Sequence, residues 1–432
     1  MKKMKKKSNF KSRVVPQGAS PRDIAKGAAE SARVLANLST VEKNRVLREM
    51  ARALLKNKDA IIRANKKDLK EAKRVGLSSA LIDRLMLDAK RVKDMSDGLI
   101  NVAKLPDPVG TEIKAWDTSL GLNIHKVRVP IGVIAIIYES RPNVTADCIG
   151  LCFKSGNSVI LKGGSEALNS NIAIYKAIEG VIKKNKLPSG VVNLIATKNR
   201  EVIDTLLKQN DYIDLVMPRG GEALIKKVVA TSKIPVIKHY KGICHIYVDD
   251  YADLNMAERV CFNAKVQRPG VCNAMETMLV HIDVAGRFLP SMLNKFQSAG
   301  VEIRGCPLTQ KIYKGKIKKA TEADFRTEFL DLVLSVKVVS DINEAISHIN
   351  TFGSHHSDAI ITEDKSNAQE FLKKVDSACV YLNASTRFTD GGEFGMGAEI
   401  GISTDKLHAR GPMALEELTT YKYVIYGHGQ TR

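Results

Sequence analysis

From Pro21 to Asn101 apolar positions recur at three- and four-residue spacing, first at Ala28, Val34, Leu35 and Leu38, then at Val46, Leu47, Met50, Leu54 and Leu55. One apolar stripe per 3.6 residues predicts a segment that is helical almost throughout. Ser39-Thr40-x-Glu42 reads as a helix start, where a serine and a glutamate three positions on satisfy each other's backbone N–H. Pro106, Pro108 and Gly110 then break the run.

Beyond a short alternation at Leu120, Leu122 and Ile124 the period changes. Gly132 to Tyr138 is continuously apolar, the signature of a strand covered on both faces. Shorter runs follow at Ser158–Leu161, Val191–Ile195, Ile213–Met217 and Pro235–Ile237, with helical patterns between them, as at Asn171–Lys183 and Glu222–Val229. This is the rhythm of a parallel sheet flanked by helices. A second series runs through His245–Val248, Thr277–Val280, Leu334–Val339, Ala359–Thr362 and Val380–Leu382. Two α/β domains are expected, meeting near Lys241. At 432 residues the chain exceeds the size at which one core stops growing. Tyr421–Tyr426 reads as a lone C-terminal strand whose partner lies outside its own domain, as in a second subunit.

Composition narrows the function class. Apolar residues at 44% and charged residues at 26% are ordinary for a globular protein. No apolar run reaches the length a membrane helix needs, and the lysine-rich stretch Met1–Arg13 precedes no apolar core, so it reads as a solvated tail rather than a secretory signal. The net charge of +20 suits an anionic substrate or cofactor, and equally RNA. Aromatics at 5%, not interleaved with basic residues, argue against a base-stacking platform. The seven scattered cysteines predict reduced thiols in the cytoplasm. Cys148 and Cys152 read as core packing, and no Cys/His set has zinc spacing, so no metal is expected.

Three stretches carry candidate chemistry. In Lys265-Val-Gln-Arg-Pro-Gly-Val-Cys272-Asn a cysteine follows a Pro-Gly turn and precedes a strand. Such a loop can expose a thiol, with Lys265 and Arg268 favouring the thiolate; a buried cysteine fits the same residues. In Pro218-Arg219-Gly220-Gly221 a strand ends and two glycines open a helix, where bare N–H groups suit a phosphate. A structural turn fits these residues too. Leu161-Lys162-Gly-Gly is a similar turn, and Lys162 stands at a strand's carboxyl end, where open parallel sheets bind ligands. A solvated lysine is its alternative. Glu139, Arg141, Asn143, Lys238 and His239 are further polar groups ending apolar runs.

Together, Val129-Pro-Ile-Gly-Val-Ile-Ala-Ile-Ile-Tyr-Glu-Ser-Arg-Pro-Asn143, Gly156-Asn-Ser-Val-Ile-Leu-Lys162-Gly-Gly, Pro218-Arg-Gly-Gly221, Gln267-Arg-Pro-Gly-Val-Cys-Asn273 and Gly353-Ser-His-His-Ser-Asp-Ala-Ile360 resemble the γ-glutamyl phosphate reductase family of the aldehyde dehydrogenase superfamily. The resemblance runs from about Arg33 to the C-terminus. It implies an aldehyde-dehydrogenase-like fold of two parallel-sheet α/β domains plus a small β oligomerisation element. The NADP-binding domain would take residues 1–118 and 131–241, the catalytic domain 242–390, and the oligomerisation element 119–130 and 402–432.

The same resemblance implies NADPH-dependent reduction of L-glutamyl 5-phosphate through a Cys272 thioester, in proline biosynthesis. Lys162, Gly220, Gly221 and Glu328 would lie along the NADPH, and Asn143 would help hold the oxyanion. Arg141, Lys238, His239 and Arg268 are candidates for the leaving phosphate. Ser385 and Arg387, in Asn383-Ala-Ser-Thr-Arg-Phe388, are candidates for the amino-acid end. Where hydrolytic relatives carry a water-activating glutamate, this chain reads Ile237-Lys-His-Tyr-Lys-Gly242, without an acid. A thioester that is to be reduced must not meet water, so the missing carboxylate agrees with an acyl phosphate substrate. A homodimer or homotetramer, and coupling to the kinase that makes the acyl phosphate, are further implications. The alternatives are a coenzyme-A-acylating aldehyde dehydrogenase and an RNA-binding scaffold.

Overall fold

The computed structural model describes residues 20–199, 201–238 and 240–432. The tail Met1–Arg13 and His239 lie outside the described residues. The chain divides into two compact units, the first running to Lys238 and taking back Met396–Gly401 and Met413–Arg432, the second spanning His239–Gly395 and Ile402–Pro412.

The first unit opens with five helices, α1 (Pro21–Leu35), α2 (Thr40–Lys56), α3 (Lys58–Arg74), α4 (Ser79–Leu85) and α5 (Ala89–Lys104). The expected start at Ser39 is a complete capping box, its side chain accepting from the Glu42 N–H while Glu42 accepts from the Ser39 backbone. A hairpin follows, β1 (Glu112–Asp117) and β2 (Asn123–Pro130). It therefore begins at Glu112, seven residues before the 119 boundary expected for the oligomerisation element.

Then come β3 (Val133–Tyr138), α6 (Asn143–Lys154), β4 (Ser158–Gly163), α7 (Leu168–Lys184), β5 (Val192–Leu194), α8 (Glu201–Leu206), β6 (Leu215–Arg219) and α9 (Glu222–Thr231). The strands form one parallel sheet ordered β5-β4-β3-β6. Every residue of β3 and β4 is buried, which explains why neither shows a polar alternation. Pro235–Ile237, expected as a strand, is only an isolated bridge from Val236 to Val216.

The second unit alternates β7 (Cys244–Val248), α10 (Leu254–Val266), β8 (Met275–His281), α11 (Ile282–Ser298), β9 (Glu302–Gly305), α12 (Pro307–Ile312), β10 (Lys318–Lys319), α13 (Glu322–Phe325), β11 (Val333–Val339), α14 (Ile342–Phe352), β12 (Ser357–Ile361), α15 (Lys365–Lys374) and β13 (Cys379–Leu382). Its seven strands are ordered β10-β9-β11-β8-β7-β12-β13, all parallel. The two sequence series thus become two parallel sheets. A small pair, β14 (Ile402–Ser403) and β15 (Gly411–Pro412), completes this unit.

The last strand, β16 (Thr419–Tyr426), pairs antiparallel with β2 of its own chain, Tyr421 opposite Arg128 and Tyr426 opposite Asn123. Its partner lies almost 300 positions earlier, beyond the reach of any local pattern. The order β1-β2-β16 leaves β16 at an edge. Among the described residues no helix is long and apolar enough to cross a membrane.

Candidate active site

Cys272 sits in the loop between α10 and β8. Two forces shape that loop. Asp253 caps the start of α10, accepting from the N–H groups of Asn255 and Met256. At the far end β8 is buried along its whole length. Gly242 then fits against the middle: a Cβ there would stand 1.9 Å from the Cys272 carbonyl oxygen and 2.5 Å from its Cα. The Cys244 thiol donates to that carbonyl at 3.2 Å. Of the seven cysteines only Cys272 and Cys379 are partly exposed, while the other five, Cys148 and Cys152 among them, are buried. Burial pushes the Cys148, Cys152, Cys244 and Cys261 thiols far above their ordinary range, which keeps them from forming thiolates.

The charge beside the thiol comes from arginines. Arg387 interacts electrostatically with Arg268 and Cys272, and burial, reinforced by Arg268, pulls its pKa down from the usual arginine value. Its guanidinium is fixed at two points, by the Asn273 side-chain oxygen and by Gln267 Oε1 at 3.0 Å from Nε. Ser385 is buried and accepts from the Arg387 N–H, starting the short turn that carries the arginine.

Lys265 is a correction. Its ammonium is fully buried and paired with Glu276 at 2.7 Å, so it neutralises that carboxylate instead of favouring the Cys272 thiolate. The pairing spans the nucleophile loop from its last helical turn to its first strand. Burial pushes Glu276 up to about 7 and Lys265 down. Glu276 also accepts from the Leu330 N–H at 3.1 Å, two residues after Glu328, which itself accepts from the Gly242 N–H at 2.9 Å.

Three of the candidate cofactor residues, Lys162, Gly220 and Gly221, lie in the first unit, at the carboxyl ends of β4 and β6. Lys162 is buried, and its Nζ donates to the Gly163 carbonyl at 2.8 Å. The Gly221 N–H at the start of α9 donates to Glu139 at 2.8 Å, and a Cβ on Gly220 would stand 2.4 Å from that carboxylate. An anion therefore already rests where a phosphate was expected. Ser140, at φ 42°, donates through N–H and Oγ to Glu166 at 2.6 and 2.8 Å. Asn143 opens α6, and its amide donates to Asp147 at 3.1 Å. Burial pushes that carboxyl up to about 6. Arg141 is exposed and Lys238 half-buried, both in this unit. A cavity of about 780 Å³ in the same unit, lined by Arg33, His125, Arg128 and Lys422 among others, contains none of the candidate residues.

The structure thus groups Cys272, Arg268, Arg387 and Ser385 in one unit, with Glu328 held against Gly242. It groups Lys162, Gly220, Gly221 and Asn143 in the other. Sequence reasoning passed over Gln267, Asn273 and Glu276. The signal for the first two was their place on either side of Cys272, and for Glu276 an acid inside an apolar strand.

Residues 17–330 match the aldehyde dehydrogenase family. The chain is 56% identical over 408 residues to the gamma-glutamyl phosphate reductase of Thermodesulfovibrio yellowstonii, covering 94% of this chain and 97% of that one. It is 57% identical to its counterpart from Caldanaerobacter subterraneus, covering 94% and 98%. The crystal structure of gamma-glutamyl phosphate reductase from Thermotoga maritima superposes with a TM-score of 0.94 at 46% identity, covering 96% of this chain and 100% of that one.

The chain belongs to the aldehyde dehydrogenase family, among the gamma-glutamyl phosphate reductases. It is an oxidoreductase with the aldehyde dehydrogenase fold, and the two parallel sheets and the small β1-β2-β16 sheet are that fold's parts.

Proposed function

We propose that this oxidoreductase reduces L-glutamyl 5-phosphate to L-glutamate 5-semialdehyde with NADPH, through a thioester on Cys272. The observation that carries the reading is the Cys272 loop: a partly exposed thiol, locked from behind by Gly242, with the Arg387 cation interacting with it and Arg268 near Arg387. Cations there draw in a substrate that is anionic at both ends.

The Cys272 sulfur attacks the acyl-phosphate carbon, and the carbonyl becomes an oxyanion. The Cys272 N–H holds it, and Asn143 is the side-chain donor that the family resemblance implies. Each such donor stabilises the transition state by roughly 3–4 kcal/mol in comparable sites. Collapse expels inorganic phosphate, which some of Arg268, Arg141, Lys238 and His239 receive, and leaves the thioester. The absence of a carboxylate from Lys238 to Gly242 spares that thioester from hydrolysis. NADPH, when bound, supplies the hydride that converts the thioester to the aldehyde, with Cys272 as leaving group. Lys162 would hold its adenosine end, Gly220 and Gly221 its phosphates and Glu328 its nicotinamide ribose. The Glu139 carboxylate on the Gly221 N–H supports the middle assignment, because it marks an anion seat. Arg387, with Ser385, takes the substrate α-carboxylate.

The reading also places the protein in the cytoplasm, in proline biosynthesis, as a homo-oligomer. The deciding experiment is NADP⁺ reduction with L-glutamate 5-semialdehyde, with and without inorganic phosphate, on wild type and Cys272→Ala. Phosphate-dependent turnover lost in the variant is the expected result. Turnover that needs coenzyme A, or proceeds without phosphate, removes the acyl-phosphate assignment.

A further inference from the structure

Two amide side chains that flank the nucleophile grip an arginine more than a hundred residues away. Gln267 Oε1 lies 3.0 Å from Arg387 Nε, and Asn273 Oδ1 accepts from Arg387 Nη1. Asn273 is itself immobilised. Its Nδ2 donates to the Thr389 carbonyl at 2.9 Å and to the Arg387 carbonyl at 3.3 Å, and its own carbonyl accepts from Thr386 Oγ1 at 2.8 Å. The residue is 5% exposed. A long arginine on a loop would otherwise sample many rotamers and lose that freedom on each binding event. Here the two acceptors have already fixed it. Both are neutral, so the clamp adds no negative charge of its own to the Asp390 carboxylate that already acts on Arg387.

We propose that Gln267 and Asn273 form a two-amide clamp that positions the Arg387 guanidinium beside the Cys272 thiol as a fixed cation. They are positioning residues, acting on substrate through Arg387. Because the clamp straddles Cys272, the loop that carries the nucleophile also sets where the cation stands, and the two cannot drift apart. Only the identity of the anion it reads rests on the proposed function.

The test uses the full-length chain and needs no turnover. Cys272 is alkylated with iodoacetate, an anion, and with iodoacetamide, its neutral counterpart, and the labelled peptide is followed by mass spectrometry. The ratio of the two rates reports positive potential at the sulfur, and changes in general access cancel in it. The clamp predicts that this ratio falls about threefold or more in Gln267→Ala and in Asn273→Ala, towards the value of Arg387→Ala. Both variants should also raise the substrate KM more than they lower kcat. Gln267 is exposed, so its variant folds even where the loss of Asn273's carbonyl contacts unfolds the other. A ratio within error of wild type in folded Gln267→Ala overturns the clamp. A ratio that falls in the variants, while the wild type shows no phosphate-dependent turnover, keeps the clamp and removes the glutamyl phosphate reading instead.

Discussion

Gly242 and Cys272 meet backbone to backbone, leaving no room for a side chain at 242: a Cβ would lie 1.9 Å from the Cys272 carbonyl oxygen. Neither partner is a flexible side-chain end, so any substitution must move one main chain off the other. Gly242→Ala should therefore lower kcat/KM by about a hundredfold, the usual penalty for displacing a reacting atom by about 1 Å. It should also lower the melting temperature, since overpacking costs about 1–3 kcal/mol. Steady-state kinetics beside a thermal melt checks both. A fully active alanine variant would show that the close approach plays no part in placing the thiol.

Glu139 occupies the Gly221 N–H at the start of α9. A cofactor phosphate bound there competes with this carboxylate. Neutralising it in Glu139→Gln removes a charge interaction worth about 0.3–1 kcal/mol at a helix N-terminus. NADP⁺ affinity should rise about two- to fivefold on that scale, measured by isothermal titration. Weaker binding in the variant would mean that Glu139 holds the cofactor rather than its empty seat.

How much of this was legible beforehand follows from the range of each interaction. The apolar run at Gly132–Tyr138, the capping box at Ser39 and the cysteine after Pro269-Gly270 are local features, and each became the element expected. Lys265 was misread because its partner Glu276 lies across the loop, and spacing alone does not say which way a lysine faces. The β16–β2 pairing, the Glu139–Gly221 contact and the Asn273–Arg387 grip join residues from 82 to about 300 positions apart. Only the folded topology brings such pairs together. β9 and β10 escaped notice for another reason: at four and two residues they are too short to show a period.

His348 gives the second unit a pH limit. Its ring lies against Phe325 and Phe352, with centroids 4.9 and 4.5 Å away, and neither ring nitrogen has a hydrogen-bond partner. Burial, with His245, Lys337 and Arg326 adding positive charge nearby, pushes its pKa down from 6.5 to about 2. Between those values the unfolded chain binds a proton that the folded one refuses. The stability this group contributes is complete above pH 6.5 and is lost as pH falls below it. At pH 5 the loss should be about 2 kcal/mol relative to pH 7.5. Urea unfolding at the two pH values measures it, and His348→Leu should remove that part of the difference. An equal difference in the variant would assign the acid sensitivity to other groups.

The β16 edge bears on assembly. Tyr421, Tyr423, Ile425 and Tyr426 are all exposed on it, with Tyr423 touching Trp116 edge-on at 6.1 Å and Tyr421 at 5.7 Å. Unpaired edge strands that carry large apolar side chains are normally covered, because they recruit other strands. β2 satisfies one side of β16, and among the described residues the order β1-β2-β16 leaves the other side open. A second copy of the chain is the cover expected from the proposed homo-oligomer. Two lysines in place of Tyr423 and Ile425 put like charges on that edge while leaving the β2 pairing in place. The double variant should therefore fold but run as a monomer by light scattering, where the wild type runs as a dimer or tetramer. If the double variant keeps the wild-type mass, the subunits meet elsewhere and the aromatic edge serves another purpose.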